Sequence, residues 1–269
     1  MRKTLFSGIA ACLLATAATA AEQSPSVIWT VGQADRSASE FALAPDRFRD
    51  FLANDFGYED KYFLVGHSVP AADFPYVLPG PADTWGGTWP TSGWRTHQVN
   101  ILFGLKEIPS DGTCTLVVDL LDYAKNFLPL VKVSVNTQDA KFQLDAPGLC
   151  VADQRKPNQM EKIVDTLSIT GNLAKATPRR LEIPIRPGVL KAGGNEVTIT
   201  VLEGSWILFD RVSLEGPAGT NVEQPQQLFI RNIEAAPYEL ADGKRRVQPL
   251  LVDLEWLEGA PALLSLIHI

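Results

Sequence analysis

The sequence predicts an all-β protein: an antiparallel β-sandwich of jelly-roll kind, followed by an incomplete β-rich second domain. Three observations predict it. Short strand signals recur with little helix between them, the turns carry Gly, Pro, Asn and Asp at close spacing, and residues 193–214 spell out two adjacent strands. In that stretch Gly193, Gly194 and Asn195 read as a turn, since these residue types tolerate the backbone a turn needs. Val197, Ile199 and Val201 then alternate with Glu196, Thr198 and Thr200, the period of a half-buried strand. Past Gly204 and Ser205, a second strand buries Trp206, Leu208 and Val212 and carries Asp210 and Arg211 near its middle.

Taken in order, the expected strands are 26–31, 62–65, 97–105, 114–123, 130–136, 180–185, 196–202 and 206–214. In the fifth, Val131, Val133 and Val135 alternate cleanly with Lys132, Ser134 and Asn136. Pro109-Ser110-Asp111-Gly112, Ala146-Pro147-Gly148 and Arg186-Pro187-Gly188 supply turns. Helix is expected only within 45–56, with Phe48, Phe51 and Leu52 on one face, and in a short piece within 159–167. The sandwich is assigned residues 25–217, enough for one packed core. A linker follows at 218–226, and 227–269 begins a second β-sandwich-like domain with strands at 228–234 and 246–256. Two or three strands cannot bury a core alone. The chain ends in apolar Leu263 to Ile269 without cap or polar tail, so the expectation is a fragment; the alternative is a last strand docked back on the sandwich.

Residues 1–20 read as a secretory signal: basic Arg2 and Lys3, an apolar run from Leu5 to Ala17, and an A-x-A site at Ala18-Thr19-Ala20. The apolar run is too short to span a bilayer. A lipoprotein box ending at Cys12 is a minor alternative, opposed by the apolar residues continuing past it. Loss of Arg2 and Lys3 takes the net charge from −7 to about −9, which disfavours nucleic acid and anionic lipid as partners. The remaining thiols, Cys114 and Cys150, either pair, closing a loop worth about 3–4 kcal/mol, or stay as separate buried thiols.

Several of these residues, in order, resemble the carbohydrate-binding-like module (third domain) of family 4 rhamnogalacturonan lyases, a galactose-binding-like jelly roll. The resemblance rests on Val27-Ile28-Trp29-Thr30-Val31-Gly32-Gln33-Ala34-Asp35 with Glu40-Phe41, on Tyr62-Phe63-Leu64-Val65-Gly66, and on His97 to Phe103. It ends with the Gly194-Asn195-Glu196 strand and Ser205-Trp206-Ile207-Leu208-Phe209-Asp210 through Gly216-Pro217. It implies a non-catalytic, carbohydrate-binding-like module whose partner is a polysaccharide or oligosaccharide. In the lyases this module follows a catalytic domain whose Lys and His act on the uronic acid; here it follows the signal directly, so no position inherits those roles. Similar modules head large secreted glycosidases. The expected context is therefore the N-terminal part of a secreted polysaccharide-degrading enzyme, with a structural sandwich bracing a missing catalytic domain as the alternative.

The candidate sugar site is the Trp-, Pro- and Gly-rich segment 73–94. Trp85, Trp89, Trp94 and Tyr76 can stack on a pyranose face while Asp73 and Asp83 bond its hydroxyls. The competing reading makes these aromatics a satellite core folded on the sandwich. His67 and Ser68 are adjacent but lack a triad's arrangement, so His67 reads as a turn residue. His97 opens a strand, half-exposed. No spacing suggests a transition metal. Jelly rolls of this type often hold a structural calcium ion, for which Asp35, Glu40 and Asp210 are candidates, against a plain surface or salt-bridged role.

Overall fold

The computed structural model describes residues 26–45, 47, 61–83, 97–108, 113–145, 168–223, 228–243 and 245–256. Two five-stranded sheets form the sandwich. One orders β1 (Ser26–Gly32), β10 (Ile207–Gly216), β5 (Cys114–Tyr123) and β8 (Arg179–Ile185), with the two-residue β3 (Val77–Leu78) beside the start of β10. The other orders β2 (Lys61–Leu64), β4 (Gln98–Leu105), β9 (Gly193–Glu203), β6 (Leu130–Val135) and β7 (Gln138–Gln143). All named pairs are antiparallel except β2 with β4, which run parallel. Parallel neighbours need a long crossover, and here the chain between them passes through β3 and the short α1 (Pro70–Asp73).

The period-2 residues read from the sequence make the core. Val131, Val133 and Val135 are buried beside Val197, Ile199 and Val201, while Lys132 and Ser134 are half-buried on the outer face. Trp29 of β1 meets Phe103 of β4 with ring centroids 5.2 Å apart, so the two sheets touch directly. A second aromatic group links Phe74 to Phe41, Phe63 and Phe209 at 5.4, 5.8 and 5.1 Å. The central strands β5 and β10 bury residues on both faces, since Arg211 lies across the outer one, bonded to Asp119 at 2.9 Å.

The register sorts the loops. Segments 33–60, 79–97, 124–129, 144–178 and 204–206 all leave from one end of the sandwich, whereas 106–113, 136–137 and 186–192 turn at the other. The second end is closed by two asparagines. Asn195 accepts from the Lys191 amide at 2.8 Å and donates to the Lys191 and Gly193 carbonyls at 2.8 and 2.9 Å. Asn136, in the tight β6–β7 turn with φ +49°, donates to Asn195 Oδ1 at 2.9 Å and accepts from the Glu196 amide at 2.9 Å. Gly193, Gly194 and Asn195 are therefore strand rather than turn: they pair with Leu105, Gly104 and Phe103, and the side chain of Asn195 organises the turn before them. Ser26 and Gly216, the ends of β1 and β10, pair at this same closed end, joined by Ser26 Oγ donating to the Gly216 carbonyl at 3.3 Å.

Beyond β10, residues 221–223 do not leave the sandwich: the Lys106 amide donates to Asn221, Glu223 donates to Gly104 at 3.0 Å, and Val222 packs on the core. β11 (Leu228–Ala235) pairs with β14 (Leu250–Trp256), and β12 (Leu240–Asp242) with β13 (Arg245–Val247). In these strands Leu240, Val247, Leu250, Leu251 and Val252 stand exposed, Leu250 by 67%. Described helix amounts to α1 and a 3-10 turn at Leu173–Lys175, while the helix expected within 45–56 lies outside the described residues except for 45 and 47, and that within 159–167 lies wholly outside them.

Candidate functional site

Loops gathered at one end of a sandwich are where such folds place recognition, because the sheets hold the loop bases rigidly while the tips vary. Here the base of segment 84–96 is built from backbone. Gly80 packs so closely on the Gly204–Ser205 turn that an added Cβ would lie 2.6 Å from the Ser205 carbonyl oxygen. Gly204, at φ +80°, leaves no room for a Cβ against the Leu128 carbonyl. The Ala82 amide donates to the Gly204 carbonyl at 2.8 Å, and the Ser205 amide to the Phe127 carbonyl at 2.9 Å. Where the segment returns, His97 Nδ1 lies 3.1 Å from the Pro79 carbonyl oxygen, and the His97 carbonyl accepts from Val201 at 2.9 Å.

Asp83 is the side chain at the centre of this base. It is buried, accepts from the Gly80 amide at 2.7 Å, and accepts from the Ser205 hydroxyl. Its carboxylate thus holds its own turn, through Gly80, to the Gly204–Ser205 turn. Tyr76 is fully buried, its hydroxyl donating to the Ile169 carbonyl at 3.0 Å, and burial pushes the phenol well above its ordinary pKa. Asp73, in the last turn of α1, reaches back to accept from the Val69 amide at 2.7 Å. Trp85, Trp89 and Trp94 lie outside the described residues.

Asp35, Glu40 and Asp210 converge on the turn after β1. Asp35 accepts from Ser37 at 2.9 Å, Glu40 from Gln33 at 2.8 Å, and Asp210 from Arg36 at 3.1 Å, all from backbone amides. Burial first, then the neighbouring Asp35, Asp119 and Glu40 charges, push the Asp210 carboxyl up to about 6, against the Arg36 amide that lowers it. Among the described residues no group of three or more His, Cys, Asp or Glu is arranged to hold a metal ion. The His67 and Ser68 amides both donate to the Leu64 carbonyl, and the Ser68 hydroxyl accepts from the Leu64 amide at 2.9 Å, so this pair builds a turn. Cys114 is buried under Gly216 and its thiol is pushed up by burial, while Cys150 lies outside the described residues.

Residues that the sequence did not single out also stand at this end. Tyr123 donates its hydroxyl to the Asp145 carbonyl, Arg179 pairs with Asp145, and Lys125 pairs with Asp122 while lying 4.4 Å from the Tyr123 ring centroid. Phe127 stands out from the same loop, 53% exposed. The apolar FLPL run of residues 127–130 is a sequence signal, but it does not say which of its members faces water.

Two five-stranded sheets with braced loop bases at one end define a β-sandwich module. The chain matches the family described as CBM-like, polysaccharide lyase family 4, domain III, over residues 27–214, more than two thirds of its length. It belongs to that family. No curated protein matches the chain. One solved structure, described as a family GH115 4-O-methyl-alpha-glucuronidase, BtGH115A, with specificity for decorated arabinogalactans, aligns at 16% identity and a TM-score of 0.27. The alignment covers 44% of this chain and 13% of that one, and at such a TM-score it carries no argument here. Among the described residues no helix is long and apolar enough to cross a membrane.

Proposed function

We propose that the sandwich recognises glycan as an accessory module of a secreted polysaccharide-degrading enzyme of lyase or glycosidase type. The observation that carries this reading is the braced base of segment 84–96. A buried carboxylate and two close-packed glycines are spent on fixing where that segment rises, and it bears Trp85, Trp89 and Trp94. In this reading Asp83 and Tyr76 act from beneath as supports, and the indole rings meet the pyranose. Family membership supports an extracellular context, and residues 1–20 serve as the secretory signal. Residues 227–269 begin a second β-rich domain, an assignment supported by the bare apolar side chains of β12, β13 and β14.

The test is a fluorescence titration and affinity electrophoresis of the chain against rhamnogalacturonan, arabinogalactan, galactan and xylan. Binding is expected to at least one, with Trp85→Ala weakening it about tenfold. Absence of a ligand-induced change in the wild-type protein across the panel overturns the reading and leaves the bracing role.

A further inference from the structure

Among the described residues, arginines stand side by side at two places, Arg179-Arg180 and Arg245-Arg246. The second pair follows Lys244, in the longest basic run of the sequence. The fold treats the two pairs oppositely. Arg179 and Arg180 open β8, whose seven residues pair with β5 and which turns Leu181, Ile183 and Ile185 into the core. Arg179 pairs with Asp145, and Arg180 with Glu182 at 2.7 Å and with Asp119 and Glu215 at 3.6 Å. Freeing this pair as extended chain would uncover the sandwich core.

Arg245 and Arg246 lie in β13, which meets β12 in three residue pairs beside the turn at Gly243, φ +61°. No described side chain of β12 or β13 is buried, and that of Arg246 is 85% exposed. Its partner Glu239, 3.1 Å away, is exposed too, and an ion pair between such groups holds little. Opening this tip gives up three residue pairs and no core. It can stop at a fixed base, where the Ala236 amide donates to the Pro249 carbonyl at 2.8 Å and Gln248 Nε2 to the Ala236 carbonyl at 2.8 Å. Leu240 faces Val247 across the hairpin and Ala241 faces Arg246, so Arg246 stands on the side opposite the apolar pair. A neighbouring domain that covers Leu240 and Val247 leaves Arg246 in water.

Exposed tips with little packing of their own are where proteases nick folded chains. An arginine there is read by a primary pocket lined with a carboxylate, which takes the guanidinium fork. We propose that the Arg245-Arg246 pair is a processing site for an arginine-specific endoprotease, which detaches the intact sandwich from the chain beyond it. For the bond after Arg246, water adds as the carbonyl carbon–nitrogen bond breaks. The hydroxyl completes a carboxyl group on Arg246, and Val247 leaves with a free amine. Nothing at the loop-bearing end enters into this site, so it stands or falls apart from glycan recognition.

The experiment digests the full chain with a trace of clostripain, an arginine-specific endoprotease, identifies the first product by intact mass spectrometry and melts it after purification. The first N-terminal product is expected to end at Arg245 or Arg246 and to keep the sandwich's cooperative melting. The double variant Arg245→Gln, Arg246→Gln is expected to lose this product and to melt as wild type does, since both side chains are exposed. A first cut at any other arginine, Arg179 and Arg180 included, overturns the site. A product that ends at Arg245 or Arg246 but no longer melts cooperatively overturns the detachment of an intact sandwich.

Discussion

The two ends of this sandwich solve opposite problems with the same kind of residue. At the closed end, Asn195 and Asn136 satisfy each other and the turn backbone around them. At the loop-bearing end, Asp83 does comparable work, but the Ser205 turn it clasps also holds the loop on which Phe127 stands half-exposed. A buried polar group with all its partners is therefore not a marker of function by itself. What distinguishes the two ends is what the clasped segments present once they are fixed.

That contrast can be broken most directly at Asn195. Replacing it with Ala removes the acceptor for Lys191 and Asn136 and the donor for two carbonyls, in a residue 5% exposed, and is expected to cost about 3 kcal/mol by chemical denaturation. Glycan affinity measured below the new midpoint should stay within twofold of wild type. A large loss of affinity there would dissolve the division of labour between the ends.

Asp83→Ala probes the other end. Leaving the Gly80 amide and Ser205 hydroxyl without their acceptor is expected to cost about 2 kcal/mol and also to weaken glycan binding severalfold. Stability loss with unaltered binding would make Asp83 the same kind of residue as Asn195.

The smallest effect concerns pH. Asp210 holds its proton more tightly in the fold, at about 6, than an ordinary carboxyl does. The folded state therefore binds more protons than the unfolded chain between about pH 4 and pH 6, and this group's ionisation lowers stability as pH rises through that window. Asp210→Asn keeps an oxygen for the Arg36 amide and removes the charge beside Asp35, Asp119 and Glu40. Its melting temperature is expected to match wild type near pH 4 and to exceed it by about 2–4 °C at pH 8. Parallel melting curves for the two proteins across that range would remove Asp210 from the account.

Most of the sandwich is legible in the sequence because period-2 burial leaves a direct trace, as in Val131, Val133 and Val135. The strand over Cys114–Tyr123 is visible as an apolar run interrupted by Thr115, Asp119 and Asp122. Missing from that reading is β7, whose inward residues Gln138, Ala140 and Phe142 and outward Asp139 and Lys141 give a weak signal that only pairing with β6 makes a strand. The parallel partnership of β2 and β4 is also invisible, since register between distant segments leaves no local mark. In the candidate site, aromatic density groups Tyr76 with the tryptophans, but composition does not reveal side-chain direction, and Tyr76 points into the core. Phe127 shows the converse: it lies in an apolar run, and its exposure follows from the loop's attachment to Gly204 and Ser205.

One consequence lies in the pairing of Ser26 with Gly216. The first and last strands of the sandwich begin and finish side by side, on the face farthest from the long loops. Adjacent strands are about 5 Å apart, so the whole unit is a cassette that a host protein can accept in a surface turn without stretching its own chain. Wherever it is spliced, the Gly80–Asp83 turn and the loop that carries Phe127 stand at the opposite end of the sheets from the splice.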